Sequence, residues 1–197
     1  MAAPRHETRT DPRIEHSRRK VLDATIDLLV TTQPAKITVE AIAGKSRVSK
    51  ATIYRHWPSR VHILVDAINA HTFQCPTPRT DLPFDDAISV FVSDLIDAFS
   101  DQYRAAAHEA LLILSRHHPT FAGLHEQSNQ ALVAAVDALV QHGITHGRIA
   151  PRTDSNTVTA QLVGPFLYAY VESTPTNAAF IASVIDGVLH AHRPDHD

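Results

Sequence analysis

The chain contains little of what several classes of protein depend on. It has 197 residues but one cysteine, Cys75, which excludes an internal disulfide and the paired-cysteine zinc modules that bind DNA. It has only six glycines, and neither a phosphate-cradling glycine loop nor a G-x-S-x-G motif occurs. Because no set of catalytic or cofactor-binding residues emerges, we expect neither an enzyme nor a cofactor.

Long apolar runs are also missing. The longest uncharged run, residues 155–171, is interrupted by polar residues, glycine and proline. It therefore falls short of the roughly 18 apolar residues that indicate a membrane span. Near the N-terminus, Arg5, Glu7, Arg9 and Asp11 stand where a signal peptide has an apolar core. We expect a cytoplasmic chain with no membrane partner.

No strand-like alternation of apolar and polar residues occurs, and helical periodicity dominates, so the sequence predicts an all-α fold. Asp11 and Pro12 suit the start of a first helix that ends near Thr31 and Pro34. Pro119 is expected to stop one later helix, and Gly147 to end the next. Apolar positions at helical spacing mark these later helices near residues 84–99, 105–116, 132–144, 154–172 and 176–192.

Residues 38–57 have the pattern of a helix-turn-helix, a motif that binds double-stranded DNA. Ile42 belongs to the apolar face of the first helix, while Ile53 and Trp57 form that of the second. The short break at residues 46–48 allows the two helices to cross and share a core. The sequence therefore predicts a DNA-binding surface on the outer side of the second helix.

Polar side chains begin both helices of this motif. Thr38 and Ser49 are expected to cap them, which leaves outward-pointing backbone N–H groups that bind phosphate. The side chains on the second helix that suit groove reading and phosphate binding are Lys50, Thr52, Tyr54, Arg55 and His56.

The distribution of charge favours the same half of the chain. Residues 1–75 contain 12 Lys and Arg against 7 Asp and Glu, a net charge of +5. Residues 76–197 contain 6 against 14, a net charge of −8, so the whole chain carries −3. A basic end on an acidic body is typical of a protein that approaches phosphate with one end only.

An ordered set of residues around this motif forms a specific pattern: Ile37, Thr38, Val39, Ile42, Ala43, 48–54, His56, Trp57, Ser59, Arg60 and Leu64. This pattern resembles the tetracycline-repressor (TetR) family of one-component bacterial regulators. The all-helical, acidic second half supports the resemblance. It implies an N-terminal three-helix DNA-binding domain at 11–58, a linking helix at 59–75, and a helical C-terminal domain at 76–197 for ligand binding and dimerisation.

Two positions depart from the family pattern. Arg47 occupies the turn where glycine is usual, and a left-handed backbone there would cost roughly 1 to 2 kcal/mol. Either this turn is built differently, or the cationic side chain near the phosphates compensates for the strain. Arg60 stands where lysine is usual, which keeps a positive charge for phosphate and adds a bidentate option.

The resemblance also implies roles for individual side chains. Lys50 and Arg55 suit guanine O6 and N7, and the methyl groups of Ala51 and Thr52 suit the thymine methyl. Ile53 and Trp57 are expected to be structural. The side chains that would mainly contact the DNA backbone and fix the register are Thr38, Ser49, Tyr54, His56 and Arg60.

The second half gives weaker signals for a ligand pocket. In the family the pocket forms between helices of the second domain, so some core side chains would serve both packing and binding. The alternative is that they belong to the core alone. The candidates are Phe91, Leu95, His108 and Leu112.

The last two helices carry small residues on apolar faces, which favours close packing across a two-fold axis. Gly164 and Pro165 inside a helix predict a kink, and the glycine allows another helix to approach. Four helices from two copies would form the seam. The predicted dimer residues are Gly164, Phe166, Phe180, Val184, Gly187 and Val188.

The fourteen histidines leave a metal site open as an alternative. Three or four ligands must converge to hold zinc or nickel, and we expect most of these histidines to be solvated surface residues. The candidate groups are His117 with His118, His142 with His146, and His190, His192 and His196.

Together, these features favour a homodimeric repressor that binds a pseudo-palindromic operator and responds to an unidentified small-molecule effector. Two alternatives stay open. One is a ligand-free architectural or partner-recruiting DNA-binding protein, and the other is a metal-responsive regulator.

Overall fold

The protein is all-α, as predicted. The computed structural model describes residues 12–71, 75–172 and 174–194, which contain nine α-helices, one 3-10 helix and no strand. Asp11 and His196 lie outside the described residues. Along the chain come α1 (Pro12–Thr31), a 3-10 helix (Pro34–Lys36), α2 (Val39–Ser46), α3 (Lys50–His56), α4 (Arg60–His71), α5 (Phe84–Ser100), α6 (Gln102–Ser115), α7 (Pro119–Thr145), α8 (Ser155–Val171) and α9 (Ala178–Ala191).

These helices form two compact units. The first unit contains α1 to α4, the 3-10 helix and α6, and the second contains α5, α8, α9 and most of α7. Within the first unit, α6 packs on α1 and α4. Its small buried face allows this close approach and consists of Ala105, Ala106, Ala107, Ala110 and Leu111.

The core of the first unit follows the helical spacing of its apolar residues. On α4 the side chains at steps of three and four residues are completely buried, which fixes this helix against α1 and α6. Thr25, in the middle of α1, is also buried and satisfies its hydroxyl by donating to the Val21 carbonyl at 2.7 Å. The buried α4 residues are Ile63, Leu64, Ala67 and Ile68.

In the second unit, α5 packs its apolar face into a cluster with α7, α8 and α9. Gly143 on α7 allows a close approach in this core. A Cβ atom there would lie 2.8 Å from Cε2 of Phe84 and 2.9 Å from side-chain atoms of Ile149, so any larger residue would displace them.

The long helix α7 corrects one expectation. Pro119 does not merely stop the preceding helix, because it is the first residue of the 27-residue α7. Proline fits this position since its missing N–H would have no partner in a first turn. Gly147 ends the helix as predicted. It adopts φ 66°, and its N–H and that of Arg148 donate to the carbonyls of Ile144 and Gly143.

The last two helices lie within one or two residues of their predicted bounds. Asp154 caps α8 by accepting hydrogen bonds from Asn156 and Thr157, and these bonds lower the pKa of its carboxyl. Helix α8 continues through Pro165. Within the described ranges, no helix combines the length and apolarity that crossing a membrane requires.

The turn between α2 and α3 contains a strained backbone. Arg47 has φ 56° and ψ 30°, and it is the one described residue other than glycine with a positive φ. The turn therefore has the left-handed form that glycine would adopt, and the alternative of a differently built turn is wrong.

Arg47→Gly should stabilise the first unit by about 1 kcal/mol, because glycine adopts this conformation without strain, although it also gains entropy when unfolded. Urea unfolding followed by fluorescence measures the change, since Trp57 is the only tryptophan of the chain.

Arg47→Ala is the matched control, because it removes the guanidinium but keeps the Cβ atom. Its unfolding midpoint should stay below that of Arg47→Gly. Equal midpoints for the two variants would show that the backbone at this position stores no strain.

Candidate DNA-binding surface

The outer face of α3 is held in place by the buried face of the same helix. Ile42 of α2 and Ile53 of α3 are completely buried, and Trp57 is 2% exposed. Ile53 and Trp57 are thus core residues, as predicted. With Ile53 inside the unit, α3 turns its opposite face outward.

Both predicted N-caps are confirmed. Thr38 accepts a hydrogen bond from the N–H of Ala41 at 3.1 Å, and Ser49 accepts one from Thr52 at 3.2 Å. The hydroxyls of Ser49 and Thr52 lie 2.9 Å apart, so the two side chains hold each other at the start of α3. These first turns are the parts of the two helices that attract anions.

Most side chains proposed to contact DNA lie on the surface of the first unit. Tyr54 is 51% exposed, so it contributes little to packing. Thr52 and His56 are half-buried, and the ring of His56 packs edge-on against Trp57 at 5.8 Å between centroids. The exposed residues of α3 are Lys50, Ala51, Tyr54 and Arg55.

Lys50 has a partner that sequence reasoning missed. Its ammonium lies 2.9 Å from the carboxylate of Glu40 on α2. The hydrogen bond to Lys50 lowers the pKa of Glu40, and the same bond raises the pKa of Lys50. Both groups are therefore charged at neutral pH. The sequence does place an acidic residue, Glu40, in the first turn of α2. It does not show that α2 and α3 cross so that Glu40 reaches Lys50, because that contact depends on tertiary packing.

Arg60, the predicted phosphate contact, bonds to backbone carbonyls of its own chain. Its Nη1 donates to the carbonyls of Pro34, Ala35 and Ile37 at 3.0, 3.3 and 3.0 Å. These carbonyls lie in and just after the 3-10 helix, where helical partners run out. In this structure the guanidinium ties α4 to the segment before α2.

A polar contact joins three helices beside the recognition surface. The indole N–H of Trp57 donates to Asp66 of α4 at 2.8 Å. Arg18 of α1 lies 3.3 Å from the same carboxylate oxygen and 5.2 Å from the centre of the tryptophan ring. Asp66 therefore connects α1, the end of α3 and α4, a role that the sequence did not reveal.

The predicted pocket residues fall into different units. Phe91 and Leu95 are buried on α5 of the second unit, while His108 and Leu112 are half-buried on α6 of the first. Within the second unit, a cavity of about 320 Å³ lies beside the end of α5. Its lining residues are Ile96, Ser100, Phe166, Ala169, Tyr170, Thr174 and Thr176.

The predicted dimer residues lie together on α8 and α9. Phe166 and Val188 are core residues of the second unit, and the ring of Phe166 packs edge-on against Phe180 at 5.6 Å. Gly164 and Gly187 face open space, since an added Cβ atom at either would meet nothing within 4 Å. A groove of about 420 Å³ between α8 and α9 is lined by Gln161, Pro165, Phe180, Ser183, Val184, Gly187 and Val188.

The histidines do not assemble into a metal site in the part of the chain that the structure describes. No three side chains of His, Cys, Asp or Glu converge there. A ring nitrogen of His142 lies 2.9 Å from the Leu82 carbonyl, and one of His146 lies 2.8 Å from the His142 carbonyl. One ring nitrogen of each histidine in this predicted pair is thus within hydrogen-bond distance of a backbone carbonyl.

Two family models match the chain. The family model described as "Bacterial regulatory proteins, tetR family" matches residues 21–67, and the one described as "Tetracyclin repressor-like, C-terminal domain" matches residues 84–188. The HTH-type transcriptional regulator Rv1556 of Mycobacterium tuberculosis is 25% identical over 172 residues, which cover 86% of this chain and 84% of that protein.

Two further proteins extend the comparison. The HTH-type transcriptional repressor KstR of Rhodococcus jostii is 37% identical over 51 residues, or 26% of this chain and 24% of that one. The structure of the flavonoid-responsive regulator FrrA has a similar fold, with a TM-score of 0.68 at 18% identity over 92% of this chain and 100% of that chain. The chain belongs to the TetR family of helix-turn-helix transcriptional regulators, which bind DNA.

Proposed function

We propose that this regulator is a homodimeric repressor that binds a pseudo-palindromic operator and leaves it when a small molecule binds. The observation that carries the proposal is the short recognition helix α3, whose polar face is exposed. Both α3 and the preceding α2 begin with a capped first turn. Similarity to KstR, which is named a repressor, supports repression as the direction of control. Because the operator is intracellular DNA, the proposed location is the cytoplasm.

The proposed contacts divide by the chemistry of the side chains. Lys50, Ala51, Thr52 and Arg55 would read base edges in the major groove. Backbone contacts would come from Thr38, Ser49, Tyr54 and His56. The hydrogen bonds of Arg60 to three backbone carbonyls favour a role in positioning α4 over a direct contact with phosphate.

A dimer is required by the size of the recognition helix. Seven residues of α3 cover few base pairs, and a two-fold pair of such helices doubles the contacts and fixes the half-site spacing. The groove between α8 and α9, which the open Gly187 lines, and the open Gly164 on α8 support a seam at this face. Exposed apolar side chains extend the face along α8, at Leu167, Tyr168 and Val171.

The second-unit cavity is the proposed effector site. No charged side chain lines it, and Ser100, Tyr170 and Thr174 supply hydroxyl groups, so the expected ligand is uncharged and amphipathic. Phe91 and Leu95 lie on α5, the same helix as the lining residues Ile96 and Ser100. FrrA is named flavonoid-responsive, which supports control by a small molecule here. The effector would release DNA by no more than its differential affinity for the two forms.

Arg55→Ala should weaken binding to a duplex that the wild-type protein selects from a random library. A specific base contact is worth about 1 to 3 kcal/mol, so we expect a loss of about tenfold to a hundredfold. Fluorescence anisotropy with the labelled duplex measures the affinity.

Arg79→Ala is the control for charge, since Arg79 is also exposed but lies in the second unit beside Asp81. It should leave the affinity nearly unchanged. If Arg55→Ala binds as tightly as Arg79→Ala, Arg55 does not contact the selected DNA.

Gly187→Arg should convert the protein to monomers, because it places a long charged side chain in the proposed seam. Folding of each monomer should be retained, since the site is open and arginine favours a helix over glycine by up to about 1 kcal/mol. Light scattering coupled to size-exclusion chromatography measures the mass.

Gly123→Arg provides the matched control on α7, where an added Cβ atom likewise meets nothing within 4 Å. This variant should stay dimeric. A dimeric Gly187→Arg protein would place the seam elsewhere.

A further inference from the structure

An ion pair connects the first turns of α2 and α3, inside the surface proposed to meet DNA. The side chains of Lys50 and Glu40 are 53% and 64% exposed, and their charged groups lie 2.9 Å apart. Lys50 directly follows the cap Ser49, and Glu40 lies two residues after the cap Thr38. The carboxylate is therefore beside both helix starts to which phosphate would be attracted.

The electrostatics of the two helices explain why the pair forms. A lysine at the start of α3 meets the positive end of the helix, and the first turn of α3 has no acidic residue. Glu40 supplies that carboxylate from α2, where its charge also suits the start of its own helix. The pair thus stabilises a cation at a position that does not favour one.

The same carboxylate works against indiscriminate binding to DNA. Phosphates repel Glu40 and compete with it for the ammonium of Lys50. DNA that offers only phosphates to Lys50 must break its ion pair with Glu40. The carboxylate of Glu40 is then unpaired beside the negatively charged DNA backbone. Binding to nonspecific DNA is weakened as a result.

A G·C base pair offers replacement partners to both side chains. In the major groove guanine presents two neighbouring acceptors, O6 and N7, and the amino group of its paired cytosine donates. Lysine suits the guanine acceptors and glutamate suits the cytosine donor. Adenine presents one acceptor beside a donor, so it suits lysine less well.

We propose that Glu40 is a specificity-determining residue, which restrains Lys50 on nonspecific DNA and selects with it a G·C pair in each half-site. The inference rests on the proposed DNA-binding surface. It assigns to α2 a direct part in sequence discrimination, beyond the recognition helix.

The test compares the full-length protein with Glu40→Gln, Lys50→Gln and the double variant. Wild-type protein first selects duplexes from a random library, and a shuffled duplex of equal composition serves as nonspecific DNA. Glu40→Gln should bind the shuffled duplex about threefold to tenfold more tightly and should lose enrichment of one G·C position per half-site. In the Lys50→Gln background, Glu40→Gln should increase the affinity for the shuffled duplex by a smaller factor, because only the repulsion between Glu40 and phosphate is then relieved.

Asp27→Asn is the matched control, since Asp27 pairs with Lys45 at 3.3 Å and the change in net charge is the same. It should alter the affinity for the shuffled duplex by less than about twofold. Circular dichroism verifies that each variant is folded.

Three outcomes overturn the inference about Glu40: equal effects of the two carboxylate variants, an effect of Glu40→Gln that is as large without Lys50 as with it, or unchanged G·C enrichment. If wild-type protein enriches no sequence at all, the proposed function fails together with it. Enrichment by wild-type protein alongside any of the three outcomes overturns the inference alone.

Discussion

The contact of Trp57 with Asp66 and Arg18 is the interaction on which the DNA-binding surface depends. Helix α3 has seven residues, too few to persist without tertiary support. Its last turn is held because Trp57 is buried and its indole N–H reaches Asp66 at 2.8 Å. Arg18 meets the same carboxylate from α1. One carboxylate thus orients three helices, and the outward direction of the α3 side chains follows from that orientation.

Much of the positive charge in the first unit is already engaged within the protein. Lys50, Lys45 and Arg18 pair with carboxylates, and Arg60 donates to backbone carbonyls. The carboxylates of these pairs are already subtracted in the net charge of +5 for residues 1–75, so the three pairs contribute nothing to that excess. Exposed pairs of this kind are individually weak and can open when a better partner arrives. When the cations of a surface are already paired with carboxylates, that surface favours DNA that offers a new partner to both members of a pair over DNA that offers phosphates alone.

Local signals in the sequence predicted the helices and caps, but they did not predict the partners. Thr38 and Ser49 could be recognised because a cap bonds to a backbone N–H only two or three residues away. Pro119 follows the end of α6 as predicted, but its place as the first residue of α7 was missed, since proline disrupts a helix interior and yet fits a first turn. The partner of Lys50 and the carbonyls around Arg60 depend on how distant segments meet, which no local pattern specifies. The packing of α6 in the first unit is tertiary for the same reason.

The path of the chain suggests how a ligand in the second unit would influence α3. The chain passes between the units three times, before α5, between α5 and α6, and within α7 near Phe121. Helix α5 lines the proposed effector cavity through Ile96. Only Asp101 separates α5 from α6, and α6 packs on α1 and α4. Those two helices supply the Arg18 and Asp66 that hold Trp57. A shift of α5 therefore has a route to the recognition helix that needs no change in α3 itself. In the proposed dimer the spacing of the two α3 helices would determine operator binding, so a small change in that spacing would release the DNA.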